Sequence, residues 1–550
     1  MIPPVARSRG PHWPLVVALA VLLATVAAYS WLALRLNDGH FVYAQDDPYI
    51  HLALARTLAQ HGVWGLSPEE FAPASSSPLW TVLLAIIGFA CGTGQWWPFA
   101  LNVTGAVLVV WVWDRVLRPA VGPVPRFVAL VVATLVVPLP TLVFIGMEHT
   151  VHVAVVVALC AATATRLANR ERDALWPGGM ALAFLATGLR YEGLFVVTAV
   201  VTALFVGRSR LTALWLGLAA ALAPSLYAAY AVFHGGLPLP NSVLMKSDPA
   251  RFGSWTGGLG VLSDWVGVLS LYQRPAFVAL TVAALLLAAA MAGPHDGSSR
   301  RASAALSGTR SVAMTMLGLF LGTELLHVCL VKIEWFFRYE AYVIALGLLA
   351  VTLGVAEVLQ SFAVAEELPA GTVRRRAVLA CAVVLAIPLV TRAAKGMLVT
   401  VPATGEVYRQ QYQMALFFGE YYRGETVALN DIGAVSWLAP VKVIDLIGLA
   451  SSEVADARRR DADGTVFFGD LLRRHGAAAA CVYDFYFSGR RALPPLWQKV
   501  GEWTIPHDAA VSGATVAFYA PSEPEASRLR TALDRFSDRL PTGVTYRRWP

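Results

Sequence analysis

The sequence predicts an α-helical polytopic membrane protein that ends in a C-terminal soluble α/β domain. Three observations predict this fold class. Of the 550 residues, 57% are hydrophobic and only 14% are charged, with a mean hydropathy of +0.58, which is not the composition of a soluble globular protein. Apolar runs long enough to cross a bilayer recur from the N-terminus to about residue 395. Beyond that point charge becomes frequent, and short β-like runs alternate with helical stretches.

The distribution of charge and cysteine excludes several other classes. The net charge is +7, but the arginines lie in short clusters between apolar runs, which is typical of membrane topology and not of a nucleic-acid-binding patch. The five cysteines show neither paired nor metal-like spacing, so no disulfide or zinc site is expected. The first apolar run, Pro14 to about Leu34, is too long for a signal-peptide core and is predicted to be a retained membrane helix.

About eleven spans are predicted, and the odd-numbered ones run outward from a cytoplasmic N-terminus. Their approximate ranges are 14–34, 97–117, 127–145, 150–167, 176–189, 193–207, 211–233, 275–293, 311–331, 340–361 and 376–394. This register leaves every arginine cluster in an inner connection, as the positive-inside pattern requires. The short apolar stretch Leu79–Ala90 is predicted to lie at the interface. If it crossed the membrane, Arg115, Arg118 and Arg126 would be outside.

Two domains follow from this pattern. Residues 1–395 are predicted to form the multispanning domain, with an outer-face catalytic loop at about 37–96, and residues 396–550 an extracytoplasmic α/β domain. Strands in the second domain are expected at Thr426–Leu429, Val441–Ile444, Ala479–Tyr483 and Thr515–Tyr519, and helices at Phe467–Arg474 and Glu523–Arg535.

The same register collects the unusual polar clusters on the outer face. They are Asp46-Asp47, Glu148-His149, Arg190-Tyr191-Glu192, the stretch Asn241–Lys246 and the stretch Lys332–Glu340. Ionisable groups at membrane depth are costly and usually serve a function. A single cluster of this kind could be structural, whereas five on one face indicate a site.

Asp46 and Asp47 lie in the first outer loop. Adjacent carboxylates repel each other, so they persist best where one keeps a proton or where a cation balances them. A carboxylate at this place is suited to act as a general base towards a hydroxyl substrate. Asp47 followed by Pro48 also fits a helix N-cap, and that alternative stays open for Asp47. Asp46 is not needed for a cap and is therefore the stronger catalytic candidate.

Several short motifs resemble those of a known superfamily. They are Asp46-Asp47-Pro48-Tyr49-Ile50, Trp64-Gly65, Ser77-Pro78-Leu79-Trp80, Gly146-Met147-Glu148-His149, Arg190-Tyr191-Glu192-Gly193, Pro240-Asn241-Ser242, Phe337-Arg338-Tyr339, Asn430-Asp431-Ile432-Gly433 and Ile444-Asp445-Leu446-Ile447-Gly448-Leu449. With them the chain resembles the GT-C superfamily of polyprenyl-phosphate-sugar-dependent glycosyltransferases, and it is most similar to the bacterial terminal arabinofuranosyltransferase-like branch. His149 and Tyr191 depart from the pattern of that branch.

The resemblance implies inverting transfer of a sugar from a polyprenyl-phosphate donor to a cell-envelope glycan or glycolipid, on the outer face of the bacterial cytoplasmic membrane. Asp46 would be the general base, Asp47 would orient the acceptor, and Glu148 would assist. Arg338, with Lys332 or Arg190, would neutralise the departing phosphate, because guanidinium groups match phosphate geometry. The other substrate-binding candidates are Tyr49, His149, Glu192, Asn241, Lys246 and Tyr339.

No cofactor, metal or nucleic-acid partner is expected, and a divalent cation at the Asp46-Asp47 pair is an alternative that we do not favour. Two other functions stay open. A transporter or flippase of a lipid-linked sugar would also need many spans, but transporters tend to show internal repeats and sites near the membrane midplane. No repeat is visible here, and the charges lie at one surface. In a non-catalytic envelope assembly protein, the Asp46-Asp47 pair would be dispensable.

Overall fold

A computed structural model of the chain describes residues 11–245, 275–292, 300–330, 336–364, 370–506 and 510–549. Two predicted substrate-binding residues, Lys246 and Lys332, lie outside these ranges. The helices up to residue 407 are, in chain order, α1 (Trp13–Leu36), α2 (Asp47–His61), α3 (Pro78–Cys91), α4 (Trp96–Leu117), α5 (Pro123–Val136), α6 (Leu139–Ile145), α7 (His149–Ala168), α8 (Pro177–Leu189), α9 (Gly193–Val206), α10 (Arg210–Phe233), α11 (Asn241–Leu244), α12 (Pro275–Ala292), α13 (Arg300–Leu330), α14 (Ala341–Val364) and α15 (Ala370–Val407).

Nine helical segments of the described part are long and apolar enough to cross a membrane. They are Trp13–Leu36, Trp96–Leu117, Pro123–Ile145, His149–Ala168, Arg210–Phe233, Pro275–Ala292, Gly308–Leu330, Ala341–Gln360 and Leu385–Tyr421. Each of them overlaps a predicted span. The fifth and sixth predicted spans correspond to the shorter apolar helices α8 and α9, and α3 covers the stretch expected at the interface. The polytopic helical class is confirmed, while the total of about eleven crossings stays a prediction.

Helix α7 lies at the centre of the membrane part and packs against α4, α8, α13 and α14. Its contact with α4 is close because residue 105 is glycine. A Cβ at Gly105 would lie 2.6 Å from the Thr150 hydroxyl oxygen, which itself donates a hydrogen bond to the carbonyl of Asn102. Helix α7 begins at His149, in a predicted polar cluster, and runs to Ala168 at the opposite end of the bundle. The two ends of the bundle are therefore joined by one buried helix.

The C-terminal domain follows α15 without a break in helical structure. The chain passes through one π-helical turn, Tyr408–Tyr412, into α16 (Gln413–Tyr421), so the predicted boundary at residue 395 falls within a continuous helix. The later elements are β1 (Thr426–Leu429), α17 (Gly433–Leu438), β2 (Lys442–Asp445), α18 (Ser452–Arg459), α19 (Gly464–Arg474), β3 (Ala477–Val482), β4 (Gln498–Thr504), β5 (Thr515–Ala520), α20 (Glu523–Ser537) and β6 (Thr545–Arg548).

The six strands form one mixed sheet in the order β2-β1-β3-β5-β4-β6. Strand β1 pairs in parallel with β2 and β3, whereas the β3–β5, β5–β4 and β4–β6 pairs are antiparallel. Four strands and two helices of this domain coincide with the predicted stretches, which confirms an α/β domain. Strands β4 and β6 were not predicted. Strand β6 is a short, mostly exposed edge strand of sequence Thr-Tyr-Arg-Arg, and such a segment lacks the alternating apolar pattern.

The predicted topology can be tested with exposed single cysteines. Leu175 lies in a predicted inner connection and Leu496 in the C-terminal domain, and both side chains are more than half exposed. In a background without native cysteines, an impermeant thiol reagent added to intact cells should label Leu496→Cys and leave Leu175→Cys unlabelled. After the cells are opened, both should react. Labelling of Leu175→Cys alone in intact cells would show the inverted orientation.

Candidate active site

The structure gathers most of the predicted site residues at one end of the helical bundle. Asp46 and Asp47 lie where α2 begins, and Glu148 and His149 where α7 begins. Arg190 and Glu192 occupy the turn between α8 and α9, and Arg338 and Tyr339 directly precede α14. Four separate elements therefore bring carboxylates and guanidinium groups together on the face that carries the C-terminal domain.

Asp46 is held by the C-terminal domain. Its Oδ2 atom accepts a hydrogen bond from the backbone N–H of Gly433 at 2.6 Å, and its Oδ1 atom accepts one from Ala434 at 2.7 Å. These donors are the first N–H groups of helix α17, which have no partner within the helix. Residue 433 must be glycine for this contact, because a Cβ there would lie 2.1 Å from the Asp46 carbonyl oxygen.

The alternative that Asp47 is an N-cap is wrong. Helix α2 begins at Asp47 itself, with proline in the first turn. Asp46 occupies the N-cap position of α2, and its side chain makes no capping hydrogen bond to that helix. The Asp46 carboxylate caps α17 instead, a helix nearly four hundred residues later in the chain.

Arg56 contacts the opposite end of α17. Its guanidinium donates to the carbonyl of Ser436 at 2.8 Å and to that of Trp437 at 2.7 Å, and it lies 4.9 Å from the Trp437 ring centroid. The start of α2 thus places the Asp46 carboxylate at the N–H end of α17, and the body of α2 places the Arg56 guanidinium at its carbonyl end. This arrangement complements the partial charges at the two helix termini, so α2 and α17 are docked in one register.

A second carboxyl, Asp431, lies close to Asp46. Gln411 Nε2 contacts Asp431 Oδ2 at 2.7 Å, and Asn430 Nδ2 contacts Oδ1 at 3.0 Å. Burial raises the pKa of Asp46 to about 8, and the charge of Asp431 adds to the rise, whereas the hydrogen bonds from Ala434 and Gly433 lower it. Burial also raises the pKa of Asp431. Because two neighbouring carboxyls that are largely removed from water rarely ionise together, the pair keeps one proton near neutral pH.

The Tyr483 hydroxyl also contacts Asp431. The Tyr483 hydroxyl lies 2.5 Å from Gln410 Oε1 and 2.9 Å from Asp431 Oδ2, but it has a single proton to donate. The Gln410 amide nitrogen is committed to the carbonyl of Gly513 at 3.0 Å, so Oε1 faces Tyr483 and can only accept. Hydrogen bonds from Gln411, Tyr483 and Asn430 lower the pKa of Asp431 and so oppose the effect of burial.

Asp47 and Arg338 form an ion pair beside Asp46. The Arg338 Nη2 atom lies 2.6 Å from Asp47 Oδ2, and the side chains are 3% and 33% exposed, respectively. Arg338 also donates to the thioether of Met147 at 2.9 Å and to the hydroxyl of Tyr339 at 3.3 Å. Asp47 is thus the more accessible member of the pair. An incoming anion can reach Arg338 by displacing Asp47.

The loop that carries Arg338 is fixed from α15. Arg392 binds Glu340 Oε1 at 2.6 Å and the carbonyl of Phe337 at 3.2 Å. Phe336 and Phe337 have φ values of 52° and 63°, which lie in the left-handed region that bulky residues avoid. Strain of this kind persists where the surroundings over-determine the backbone, and it is concentrated at functional sites.

Arg190 differs from Arg338 because two carboxylates already balance its charge. Glu148 Oε1 lies 2.5 Å from Arg190 Nη1, and Glu192 Oε1 lies 2.6 Å from Nη2. His149 Nε2 is 3.5 Å from the same guanidinium. The Tyr339 ring connects this cluster to the Asp47–Arg338 pair, since its centroid is 5.6 Å from Arg190 and 5.0 Å from Arg338. Arg338, whose ion pair is with Asp47, is therefore less fully neutralised than Arg190.

Two other predicted substrate-binding residues, Tyr49 and Asn241, are fully buried. The Tyr49 hydroxyl accepts a hydrogen bond from the backbone N–H of Tyr43 at 3.1 Å. The backbone N–H of Asn241 donates to the carbonyl of Pro73 at 3.1 Å. Across the described ranges no group of three or more His, Cys, Asp or Glu side chains could hold a metal ion.

Sequence reasoning did not assign Arg56, Asp431 or Gly433 to the site. A signal for the last two was present, because Asn430-Asp431-Ile432-Gly433 directly follows β1, a strand flanked by two parallel neighbours. Residues just beyond the carboxyl ends of parallel strands commonly form binding sites. Arg56 gave no comparable signal, since an arginine at the polar face of an amphipathic helix is common.

Comparisons with known proteins give the following matches. The family model called domain of unknown function (DUF8728) matches residues 404–519. No curated protein matches the sequence. Among solved structures, ArnT from Cupriavidus metallidurans bound to undecaprenyl phosphate is similar, with 14% identity, coverage of 94% of this chain and 99% of that chain, and a TM-score of 0.48.

An archaeal structure is also similar to this chain. It is the Archaeoglobus fulgidus oligosaccharyltransferase in the apo form, with 11% identity, coverage of 94% of this chain and 78% of that chain, and a TM-score of 0.43. The oligosaccharyltransferase AglB from the same organism, in complex with an inhibitory peptide and a dolichol-phosphate, gives 13% identity, coverage of 93% of this chain and 77% of that chain, and a TM-score of 0.38. Neither of these proteins is an arabinofuranosyltransferase, so that branch stays an expectation from the sequence motifs.

Proposed function

We propose that this chain is an inverting membrane glycosyltransferase of the GT-C type. It would transfer a sugar from a polyprenyl-phosphate donor to a cell-envelope glycan or glycolipid on the outer face of a bacterial cytoplasmic membrane. The observation that carries the proposal is the adjacency of two groups with complementary roles. Asp46 is a carboxylate oriented by two backbone N–H groups, and the next residue in the chain forms an ion pair with Arg338.

Asp46 is suited to be the general base. The two hydrogen bonds from α17 fix the orientation of its carboxylate, and each oxygen retains a lone pair for an acceptor hydroxyl. Burial raises its pKa to about 8, which makes it a stronger base than an exposed aspartate. A base works best when its pKa lies near the operating pH. In the proposed reaction it takes the proton of the acceptor hydroxyl as the oxygen attacks the anomeric carbon.

Arg338 is suited to receive the leaving group. As the new bond from the acceptor oxygen to the anomeric carbon forms, the bond from that carbon to the phosphate oxygen breaks, and the phosphate keeps the electron pair. The released polyprenyl phosphate gains negative charge, which a guanidinium can bind through two parallel hydrogen bonds. We infer that the donor phosphate displaces Asp47 from Arg338, and that the freed Asp47 then orients the acceptor.

The remaining residues hold these groups in place. Glu148, Glu192 and His149 surround Arg190, and Tyr339 connects that cluster to Arg338. We therefore assign Glu148 and Arg190 to positioning within the site. The sugar to assay first is an arabinofuranosyl group, because the motifs around Asp46 and Glu148 resemble that branch. No step of the proposed reaction requires a metal or a cofactor.

Arg338→Lys should weaken donor binding roughly 10- to 100-fold, which is the effect of losing one hydrogen bond to a charged group. Lysine keeps the charge but cannot form the two-pronged contact. The measurement is the affinity of purified protein for a synthetic polyprenyl-phosphate sugar. Arg528→Lys is the matched control, because Arg528 makes a two-pronged contact with Glu425, at 2.5 and 2.8 Å, on the surface of the C-terminal domain.

Unchanged donor affinity in Arg338→Lys, with Arg528→Lys behaving alike, would remove Arg338 from the phosphate site. A product assay on the unaltered protein distinguishes the proposed transferase from the transporter alternative. Release of polyprenyl phosphate together with a glycosylated acceptor supports the transferase. Donor binding without any product across a panel of acceptors would support the transporter alternative.

A further inference from the structure

A cleft lies at the end of the bundle opposite to the carboxylate cluster. Its volume is about 990 Å³, and it is formed where α7 and α9 end, against the flank of α13. Both α7 and α9 begin at the candidate active site, so the helices themselves separate the two places. In the predicted topology the mouth of the cleft opens towards the cytoplasmic side.

The mouth of the cleft is basic, and its acidic residues are already engaged. Glu171 forms an ion pair with Arg166 at 2.6 Å. Asp173 accepts hydrogen bonds from the backbone N–H groups of Thr212 at 2.9 Å and Leu211 at 3.1 Å, and so caps α10. Arg170 and Arg208 are exposed at the mouth, and neither has an ion-pair partner among the residues that the structure describes. Two positive charges therefore remain available at the mouth.

Arg170 and Arg208 occupy unfavourable backbone positions. They are the second residues after the ends of α7 and α9, with φ values of 50° and 64°. Glycine is the usual residue there because it has no Cβ. For other residues the left-handed conformation is energetically unfavourable. Two neighbouring helices thus end with arginine where glycine would be easier, which indicates a use for the side chains beyond the fold.

Behind the mouth, the cleft becomes an apolar groove. Thr198 and Thr202 line it, but their hydroxyls donate to carbonyls of their own helix at 2.7 and 2.8 Å and so need no external partner. Along α13 the groove runs from Thr315 to Leu326, about 16 Å at 1.5 Å per residue. That length matches one leaflet, about half of a hydrocarbon core of about 30 Å.

We propose that this cleft binds an anionic phospholipid, with its headgroup at Arg170 and Arg208 and an acyl chain in the groove along α13. Three features fit that ligand class: the positive charge at the mouth, a groove wall whose hydroxyls need no external partner, and a groove about as long as one leaflet is thick. Basic pockets between membrane helices bind anionic headgroups in this way. The site is separate from the proposed transfer reaction and does not depend on it.

The test is native mass spectrometry of the full chain after exchange into nanodiscs that contain equal amounts of phosphatidylglycerol and phosphatidylcholine. Phosphatidylglycerol should be retained preferentially. In Arg170→Gln/Arg208→Gln its retention should weaken about 25-fold, from about five-fold for each arginine near an anionic headgroup. The matched control is Arg115→Gln/Arg172→Gln, which removes the same charge from the same end of the bundle outside the cleft.

A second variant tests the groove without altering the charge. Gly318 lines the cleft, and a Cβ there would have no atom within 4 Å, so Gly318→Leu should fill the groove without disturbing the helices. Retention of phosphatidylglycerol should fall in this variant too. Equal effects of the two double variants would show that the arginines serve topology alone. Unchanged retention in Gly318→Leu, or preferential retention of polyprenyl phosphate in the same cleft, would also overturn the proposal.

Discussion

Purified Asp46→Asn protein is expected to transfer sugar about 10²–10⁴-fold more slowly than the unaltered protein, which is the usual effect of losing a general base. Asparagine has nearly the shape of aspartate but cannot take the proton of the acceptor hydroxyl. Donor affinity should survive, because the phosphate contacts are assigned to Arg338. The measurements are the transfer rate from a synthetic polyprenyl-phosphate sugar and, separately, the affinity for that donor.

The structure adds a second consequence of this substitution. Asp46 accepts hydrogen bonds on both oxygens, from Gly433 and Ala434, whereas an asparagine amide offers one accepting oxygen and one donating nitrogen. One of the two N–H groups of α17 would lose its partner. A fall in thermal stability should therefore accompany the loss of rate, and the rate must be measured on protein that is still folded.

Asp431→Asn is the matched control for the chemistry. Asp431 is the neighbouring carboxyl, and asparagine keeps nearly its shape and an oxygen that can accept from the Tyr483 hydroxyl. This variant should retain most of the transfer rate. Asp47→Asn should also be milder than Asp46→Asn, and its donor affinity should rise because Arg338 loses its competing carboxylate. A normal rate in Asp46→Asn would move the base to Asp47 or Glu148.

The membrane part was predictable because its signal is local. Each span is a continuous apolar run, and the arginine clusters between runs order them by parity, so the nine long segments fall on predicted spans. Helices α8 and α9 are also apolar but have only 13 and 14 residues. Length and composition alone do not decide whether such short helices cross a bilayer of about 30 Å.

The site was predictable in its acids and bases, but not in how they pair. The sequence marks Asp46, Asp47 and Arg338 as polar residues at one face, and the structure brings them together. Helix α17 contacts Asp46 at one end and Arg56 at the other. These contacts depend on how the C-terminal domain docks against α2. Docking of this kind is a contact between distant parts of the chain, and no spacing within either segment encodes it.

Gly433→Ala is expected to reduce transfer about 100-fold, although it leaves every ionisable group in place. A Cβ at this residue would lie 2.1 Å from the Asp46 carbonyl oxygen and 2.8 Å from its Oδ2 atom. Both atoms belong to the backbone and carboxylate that α17 positions, so α17 and Asp46 must move apart. A displacement of about 1 Å at a catalytic group costs on the order of 100-fold in rate.

Gly469→Ala is the control for this last variant. It makes the same change in another helix of the C-terminal domain, where the nearest atom to the new Cβ, in Pro494, is 3.6 Å away. Gly469→Ala should therefore transfer sugar at the normal rate. Because Gly433→Ala keeps the Asp46 carboxylate and the Asp47–Arg338 pair, its loss should appear in kcat with donor affinity unchanged. A normal kcat in Gly433→Ala would mean that docking of α17 does not position the base, and that Asp46 reaches its acceptor without the C-terminal domain.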